Sequence, residues 1–266
     1  MGTFRIKNAY NSGDIVTFLA GFAHMYRHLN VKVEIFQVLD FPAYYYDGAE
    51  HPVKDAEGNA VTMNELQWEM LKPLLLAQPY VESVNVWNGE VCDFNFDETR
   101  DRVRLRLPNG QIHSWYYFLF PQMQTDLSIP WITVPKGEMF GIEDKIIINR
   151  TERYQNPYIH YYFLKKYQSD LIFAGTEKEH TLFKEKWGLD IPRLIVKDFL
   201  ELAGAIANCK FFIGNQSFCF HVADAIKKTR VLETCSQFPN TLPTGADGYA
   251  FLYQEALELY TEKLMK

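Results

Sequence analysis

The sequence predicts an α/β protein of two lobes, each a parallel sheet flanked by helices, with a crevice between them. Three observations predict it. From about residue 145 to 235, short apolar runs alternate with amphipathic stretches, the pattern of a parallel, doubly wound sheet. The first 38 residues show the same pattern once, as strand, helix and strand. Between these regions lies "QTDLSIPWITVPKGE", Pro-rich and without periodicity, which reads as a linker. It divides the chain into an N-terminal lobe, 1–135, and a C-terminal lobe, 136–266.

The elements follow in order. "TFRIK" reads as a strand, and "NAYNSGD" as the loop that carries the chain into a helix. Ile15, Phe18, Leu19, Phe22, Met25 and Leu29 recur at the spacing of one helix face. "VKVEIFQV" then alternates as a strand does, and "MNELQWEMLKPLLLAQ" reads as a helix. "VESVNVW" and "VCDFNFD" read as strands, and "VRLRLPNGQIHSW" as a hairpin around Pro108-Asn109-Gly110. In the later half, "KIIINR", "DLIFAG", "RLIV", "KFFIG" and "TRVLETC" are predicted strands. "PYIHYYFLKKY", "EKEHTLFKEKW", "FLELAGAIANC" and the stretch after Ser217 are predicted helices, and "FLYQEALELYTEKLMK" a closing one.

Composition narrows the function classes. A hydrophobic content of 47% supplies real cores, and a formal net charge of −6 argues against a general nucleic-acid binder, which carries a basic surplus. Aromatic residues at 15% supply thick cores or stacking surfaces. The four cysteines, Cys92, Cys209, Cys219 and Cys235, show no C-x-x-C pairing and read as thiols of a reducing compartment. Arg5 and Lys7 before "IVTFLAGFA" loosely mimic a signal peptide, but the apolar run is short, Asp14 abuts it, and helical spacing explains it. No stretch is long enough to span a bilayer, so the expectation is a soluble, cytoplasmic protein.

Three junctions can carry chemistry. At "FFIGNQSFCFHVADAIKK" a buried strand breaks at Gly214-Asn215-Gln216-Ser217 and turns straight into a helix. A helix start offers backbone N–H groups and the positive end of a dipole, where phosphate binds. The other possibility is an ordinary strand–helix turn capped by Asn215 or Ser217. In open α/β sheets ligands bind at the carboxyl ends of strands, and "INRTERYQNP" places Arg150, Thr151 and Arg153 at a second such end. Guanidinium groups there neutralise phosphate, or else belong to a solvated loop. In "YNSGDIV", Gly13 and Asp14 open the first helix; Asp14 is either an N-cap or a general base. His221, one turn into its helix, lines the site or is a half-buried structural histidine.

Other patterns fail. "HMYRH" sets His24 and His28 at i and i+4, but Met25 stands where a zinc protease needs glutamate. "DFNFDETRDRVR" begins like a calcium loop, yet Glu98 replaces the required glycine and Arg104 the closing glutamate. There is no P-loop, no G-x-G-x-x-G and no G-x-S-x-G.

These segments resemble a family. "NSGDIVTFLAGFAHMYRH" is similar to the opening of heptosyltransferase-like glycosyltransferases, and "FLELAGAIANCKFFIGNQSFCFHVADAIKKTRVLE" to their donor-lobe segment. Gly214, His221 and the Ala223/Ala225 helix are kept, whereas Asn215, Gln216 and Ser217 stand where the family has Asp-Ser/Thr-Gly. "IIINRTER" resembles the donor lobe's first strand and basic loop. The resemblance covers the first 30 residues and about 145–235. It implies two Rossmann-like lobes of the GT-B type. It also implies an inverting transfer from a nucleotide diphosphate sugar to an acceptor hydroxyl, such as that of a glycan, with no metal and no cofactor. Asp14 then corresponds to the base, while Gly13, Arg150, Thr151, Arg153, Asn215, Gln216, Ser217 and His221 face the donor. A nucleotide-sugar epimerase or hydrolase, and a non-catalytic binding protein, remain open on the same fold.

Overall fold

The computed structural model describes residues 2–43, 51–100, 110–135 and 141–266. Two compact units divide the chain. One comprises Met1–Leu127, Trp131–Pro135 and Lys197–Leu200, the other Ser128–Pro130, Lys136–Val196 and Glu201–Lys266.

The first unit is a parallel sheet with helices. Strand β1 (Gly2–Asn8) leads through a short loop into α1 (Ser12–Leu29), which returns the chain to β2 (Val31–Gln37). Then follow α2 (Glu65–Leu76), β3 (Val81–Val86), a two-residue β4 (Phe94–Asn95), a 3-10 turn at Phe96–Arg100 and α3 (Ile112–Leu119). The sheet order is β3-β2-β1-β4, and all three pairings are parallel. The predicted face of α1 is buried except at Leu29, which lies 62% exposed on the final turn beside the left-handed C-cap Asn30. Phe18 and Phe22 pack with Phe96, and Phe18 also with Tyr116, at ring-centroid distances of 4.9 to 5.9 Å. At Gly21 a Cβ would lie 2.6 Å from the Met123 side chain, so glycine is what lets that residue seat against α1.

Two expectations change here. The strand predicted over 91–97 shrinks to Phe94–Asn95. Of the predicted hairpin, 103–109 lie outside the described residues, and its second arm is helical from Ile112. The aromatic run "IHSWYYFL" has strand propensity, but burying Ile112 and Tyr116 on one helical face wins. The predicted linker is not free chain either. Trp131 Nε1 donates to the Val16 carbonyl at 2.9 Å, and Thr133 and Gln78 exchange two hydrogen bonds.

The second unit holds β5 (Ile146–Asn149), β6 (Leu171–Phe173), α4 (Glu177–Trp187), α5 (Phe199–Asn208), β7 (Phe211–Asn215), α6 (Phe218–Ala225), β8 (Arg230–Glu233), β9 (Gly248–Phe251) and α7 (Gln254–Met265). Its sheet order is β6-β5-β7-β8-β9, parallel throughout. Central strands β5, β7 and β8 are buried at every position, as a sheet covered on both faces requires. Helix α4 opens on a capping box between Thr176 and Glu179 and ends on Gly188 at φ 62°.

Again two elements differ from expectation. Residues 157–167 do not form an α-helix; a 3-10 segment spans Tyr162–Asp170 instead. Asn156 Oδ1 accepts from the Tyr158 amide and Gln254 Oε1 from the His160 amide, which claims the donors of a would-be first turn. "RLIV" makes only one bridge, Arg193 to Phe173, and Ile195 is exposed. The fifth strand is β9.

Candidate functional site

Strands β5 and β7 are neighbours, with Asn149 registered against Gly214. Their carboxyl ends therefore deliver two junctions side by side: the loop after Asn149 and the turn into α6. Close approach is built into the sequence. A Cβ on Gly214 would sit 2.8 Å from the Asn149 carbonyl oxygen and 2.7 Å from the Phe212 ring.

At the α6 junction each polar residue has a distinct task. Ser217 is the N-cap, its Oγ accepting from the Phe220 amide at 3.3 Å. Asn215 is fully buried and bonds the neighbouring loop: Oδ1 accepts from the Thr151 amide at 3.0 Å, and Nδ2 donates to the Thr151 and Arg153 carbonyls. Gln216 Nε2 donates to Asn240 Oδ1. His221 is half-buried one turn into α6, its ring 6.1 Å from that of Phe220. In the facing loop, Thr151 and Arg153 are partly exposed, and the Arg153 guanidinium lies 5.8 Å from the Tyr154 ring centroid.

Arg150 departs from expectation. Its side chain is 2% exposed and paired with the fully buried Glu233, Nε to Oε2 at 2.7 Å and Nη2 to Oε1 at 2.8 Å. Nη2 also donates to the Asn156 carbonyl. Glu233 further accepts from the Asn156 amide at 2.6 Å and the Tyr161 hydroxyl at 2.7 Å. Burial works against the charged guanidinium, but the bonds to Glu233 outweigh it and raise the Arg150 pKa. Burial, with the Glu233 charge next, pushes the Tyr161 phenol well up, so it stays a donor. The cation expected at the phosphate is committed to a carboxylate, and its partners Glu233, Asn156 and Tyr161 were not picked out from the sequence. One signal existed: a glutamate inside the buried strand "RVLE" needs a cation.

Beside this network a hollow of about 560 Å³ is lined by Arg150, Glu152, Gln155, Glu179, Phe183 and Trp187, among others. Glu179 is 8% exposed and accepts from the Thr176 amide and hydroxyl; burial raises its pKa.

In the first unit, Asn11 is the N-cap of α1, so Asp14 is not the capping residue. Asp14 lies in the first turn, partly buried, with Asn11 Nδ2 3.5 Å from its Oδ2. Gly13 is buried, and its carbonyl accepts from Thr17 Oγ1 at 3.0 Å. Asp97, from the failed calcium pattern, accepts from Lys7 Nζ and the Ala9 amide and so fixes the loop before α1. No helix among the described residues is long and apolar enough to cross a membrane.

No protein-family model matches the sequence, and no curated protein matches it. Solved structures do match in three dimensions. E. coli heptosyltransferase WaaC with ADP aligns at TM-score 0.65 and 10% identity, over 99% of this chain and 100% of that one. E. coli ADP-heptose lipopolysaccharide heptosyltransferase II aligns at 0.54 and 14%, over 100% and 98%. A family 9 glycosyl transferase from Veillonella parvula aligns at 0.59 and 10%, over 98% and 89%. Chain-long likeness to these proteins shows that this chain has the heptosyltransferase fold, α/β with two Rossmann-like parallel sheets.

Proposed function

We propose that this chain is a glycosyltransferase that moves a sugar from a nucleotide diphosphate sugar to an acceptor hydroxyl. The observation that carries the proposal is the pair of junctions on adjacent strands β5 and β7, a basic loop tied to the start of α6. A helix start at a carboxyl strand end favours an anionic diphosphate. The fold supports the same conclusion, since one matching heptosyltransferase, E. coli WaaC, was solved both with ADP and with ADP-2-deoxy-2-fluoro heptose.

In the proposed reaction the acceptor oxygen attacks the anomeric carbon as the bond to the diphosphate breaks. One displacement inverts that carbon. Asp14 takes the acceptor's proton, a contribution of about 10² to 10⁴ in rate. Charge growing on the departing diphosphate is met by Arg153, by Thr151 and by the dipole of α6, with no metal required. Electrostatic stabilisation is the larger contribution, since losing one such contact costs about 3 to 4 kcal/mol. Ser217 and His221 line the helix start, and Gly13 opens the turn that presents Asp14. Arg150 acts one step back: paired with Glu233, it holds the end of the loop.

A thermal-shift screen against ADP, UDP, GDP, CDP and their sugars tests the proposal. A ligand at ~100 times its Kd adds about 2.7 kcal/mol of stability, so a cognate nucleotide must raise the melting temperature. Sugar released or rearranged without acceptor would instead make the protein a hydrolase or epimerase. The withdrawal of Arg150 favours a second reading, a binding protein on the same fold. It is separated by the absence of turnover with any donor that binds.

A further inference from the structure

The bonding of Asn215 specifies an amide at that position. Its side chain is fully buried and makes four hydrogen bonds, all to the loop after β5. Oδ1 accepts from the Thr151 amide at 3.0 Å and the Thr151 hydroxyl at 3.3 Å. Nδ2 donates to the Thr151 carbonyl at 3.1 Å and the Arg153 carbonyl at 2.6 Å. Both amide hydrogens are spent, and Oδ1 shares the one hydrogen of the Thr151 hydroxyl with the Arg153 carbonyl, 3.2 Å from that hydroxyl. A carboxylate has the same shape but no hydrogens, and would set an anionic oxygen against two carbonyl oxygens.

What is held is strained. Tyr154, next in the loop, has φ 54°, a left-handed conformation unfavourable for a bulky side chain. Gln155 Nε2 also reaches back to the Thr151 carbonyl at 2.9 Å, closing the loop on itself. Neither Asn215 nor Gln155 presents a charge. Within this clasped loop Glu152 is exposed, Thr151, Arg153, Tyr154 and Gln155 are partly exposed, and Arg153 is the cation among them.

We propose that Asn215 is the positioning residue of the donor loop: by reading the backbone of Thr151 and Arg153, it fixes the Arg153 cation before the diphosphate arrives. This role rests on the proposed function. Ordering the loop in advance removes a conformational cost that would otherwise be charged to binding. Asn215 touches no substrate itself.

Asn215→Asp and Asn215→Ala, in the full chain, test it with three readouts. Without ligand, tryptic cleavage after Arg153 accelerates at least tenfold in both variants, with far-UV circular dichroism unchanged. Affinity for whichever of ADP, UDP, GDP or CDP stabilises the unsubstituted protein falls at least tenfold in both. On acidification the Asn215→Asp variant alone regains affinity relative to the unsubstituted protein, because a protonated carboxyl again donates to a carbonyl. The ionisable groups on the elements packed around position 215 are Arg150, Glu152, Arg153 and Tyr154 on the loop, Arg230 on β8 with Glu233 registered beside Asn215, and Cys219, His221 and Asp224 on α6. They are common to both proteins, so the ratio isolates the new carboxyl. A merely structural role would not move that ratio. Hydrogen exchange on the unsubstituted protein needs no variant: the Thr151 amide is protected, and fast exchange there overturns the clasp. Unchanged cleavage in both variants overturns it too. Faster cleavage in the variants, with no nucleotide diphosphate bound by the unsubstituted protein, overturns the proposed function and the donor-positioning role together.

Discussion

Replacing Glu233 with glutamine removes the negative charge from one of the two most enclosed ion pairs among the described residues of the second unit. The carboxylate is fully buried and receives four bonds: two from Arg150, one from the Asn156 amide and one from the Tyr161 hydroxyl. Glutamine keeps the shape but turns an NH₂ group toward donors, and it leaves a guanidinium that is 2% exposed with no counter-charge. Stranding one member of a buried pair costs about 3 to 5 kcal/mol. Whole-protein stability is on the order of 5 to 15 kcal/mol, so the loss is a large share. Urea denaturation of the variant, followed by circular dichroism, measures it as a lower midpoint at unchanged slope. Arg150→Met with Glu233→Leu removes both charges and restores much of the loss, because the desolvation penalty disappears with the pair. A cost below about 1 kcal/mol for Glu233→Gln would refute the claim that this pair is the loop's buried anchor. A double variant as unstable as the sum of its singles would refute it equally.

Three further outcomes are expected. Gly214→Ala forces a Cβ to 2.8 Å from a backbone oxygen that cannot yield, and lowers stability by about 1 to 3 kcal/mol in thermal unfolding. Glu179 has a folded pKa raised above 4.5 by burial, so in the window above 4.5 the folded state binds more protons and stability falls as pH rises. Glu179→Gln flattens that slope, read as stability against pH from 4 to 7 (roughly, the window around a carboxyl's ordinary pKa). Asp14→Asn leaves the nucleotide-induced melting shift intact and lowers turnover by about 10² to 10⁴; unchanged turnover removes Asp14 as the base.

Much of the fold was legible because burial imposes period on sequence. "KIIIN", "KFFIG" and "RVLE" are continuous apolar runs because their strands are covered on both faces, and "EKEHTLFKEKW" carries its own start and stop. "GYAF" was missed because four residues with a glycine carry no alternation; pairing with β8 makes it a strand. The 3-10 turns after Pro157 were misread as helix because the bonds that claim their amides come partly from Gln254, far along the chain.

The candidate site divides along the same line. By itself the sequence determined three junctions: a glycine break before a helix, a basic loop after a strand and an acid opening α1, each set by local backbone preference. Only the tertiary structure decided which of those groups are available. Arg150 and Glu233 are 83 residues apart in sequence, and Asn215 lies 64 residues from the backbone it holds. Local sequence does not name partners that distant, because the pairing is fixed by the order of parallel strands β5-β7-β8 in the sheet. Burial then decided that the Arg150 cation is spent on the Glu233 carboxylate.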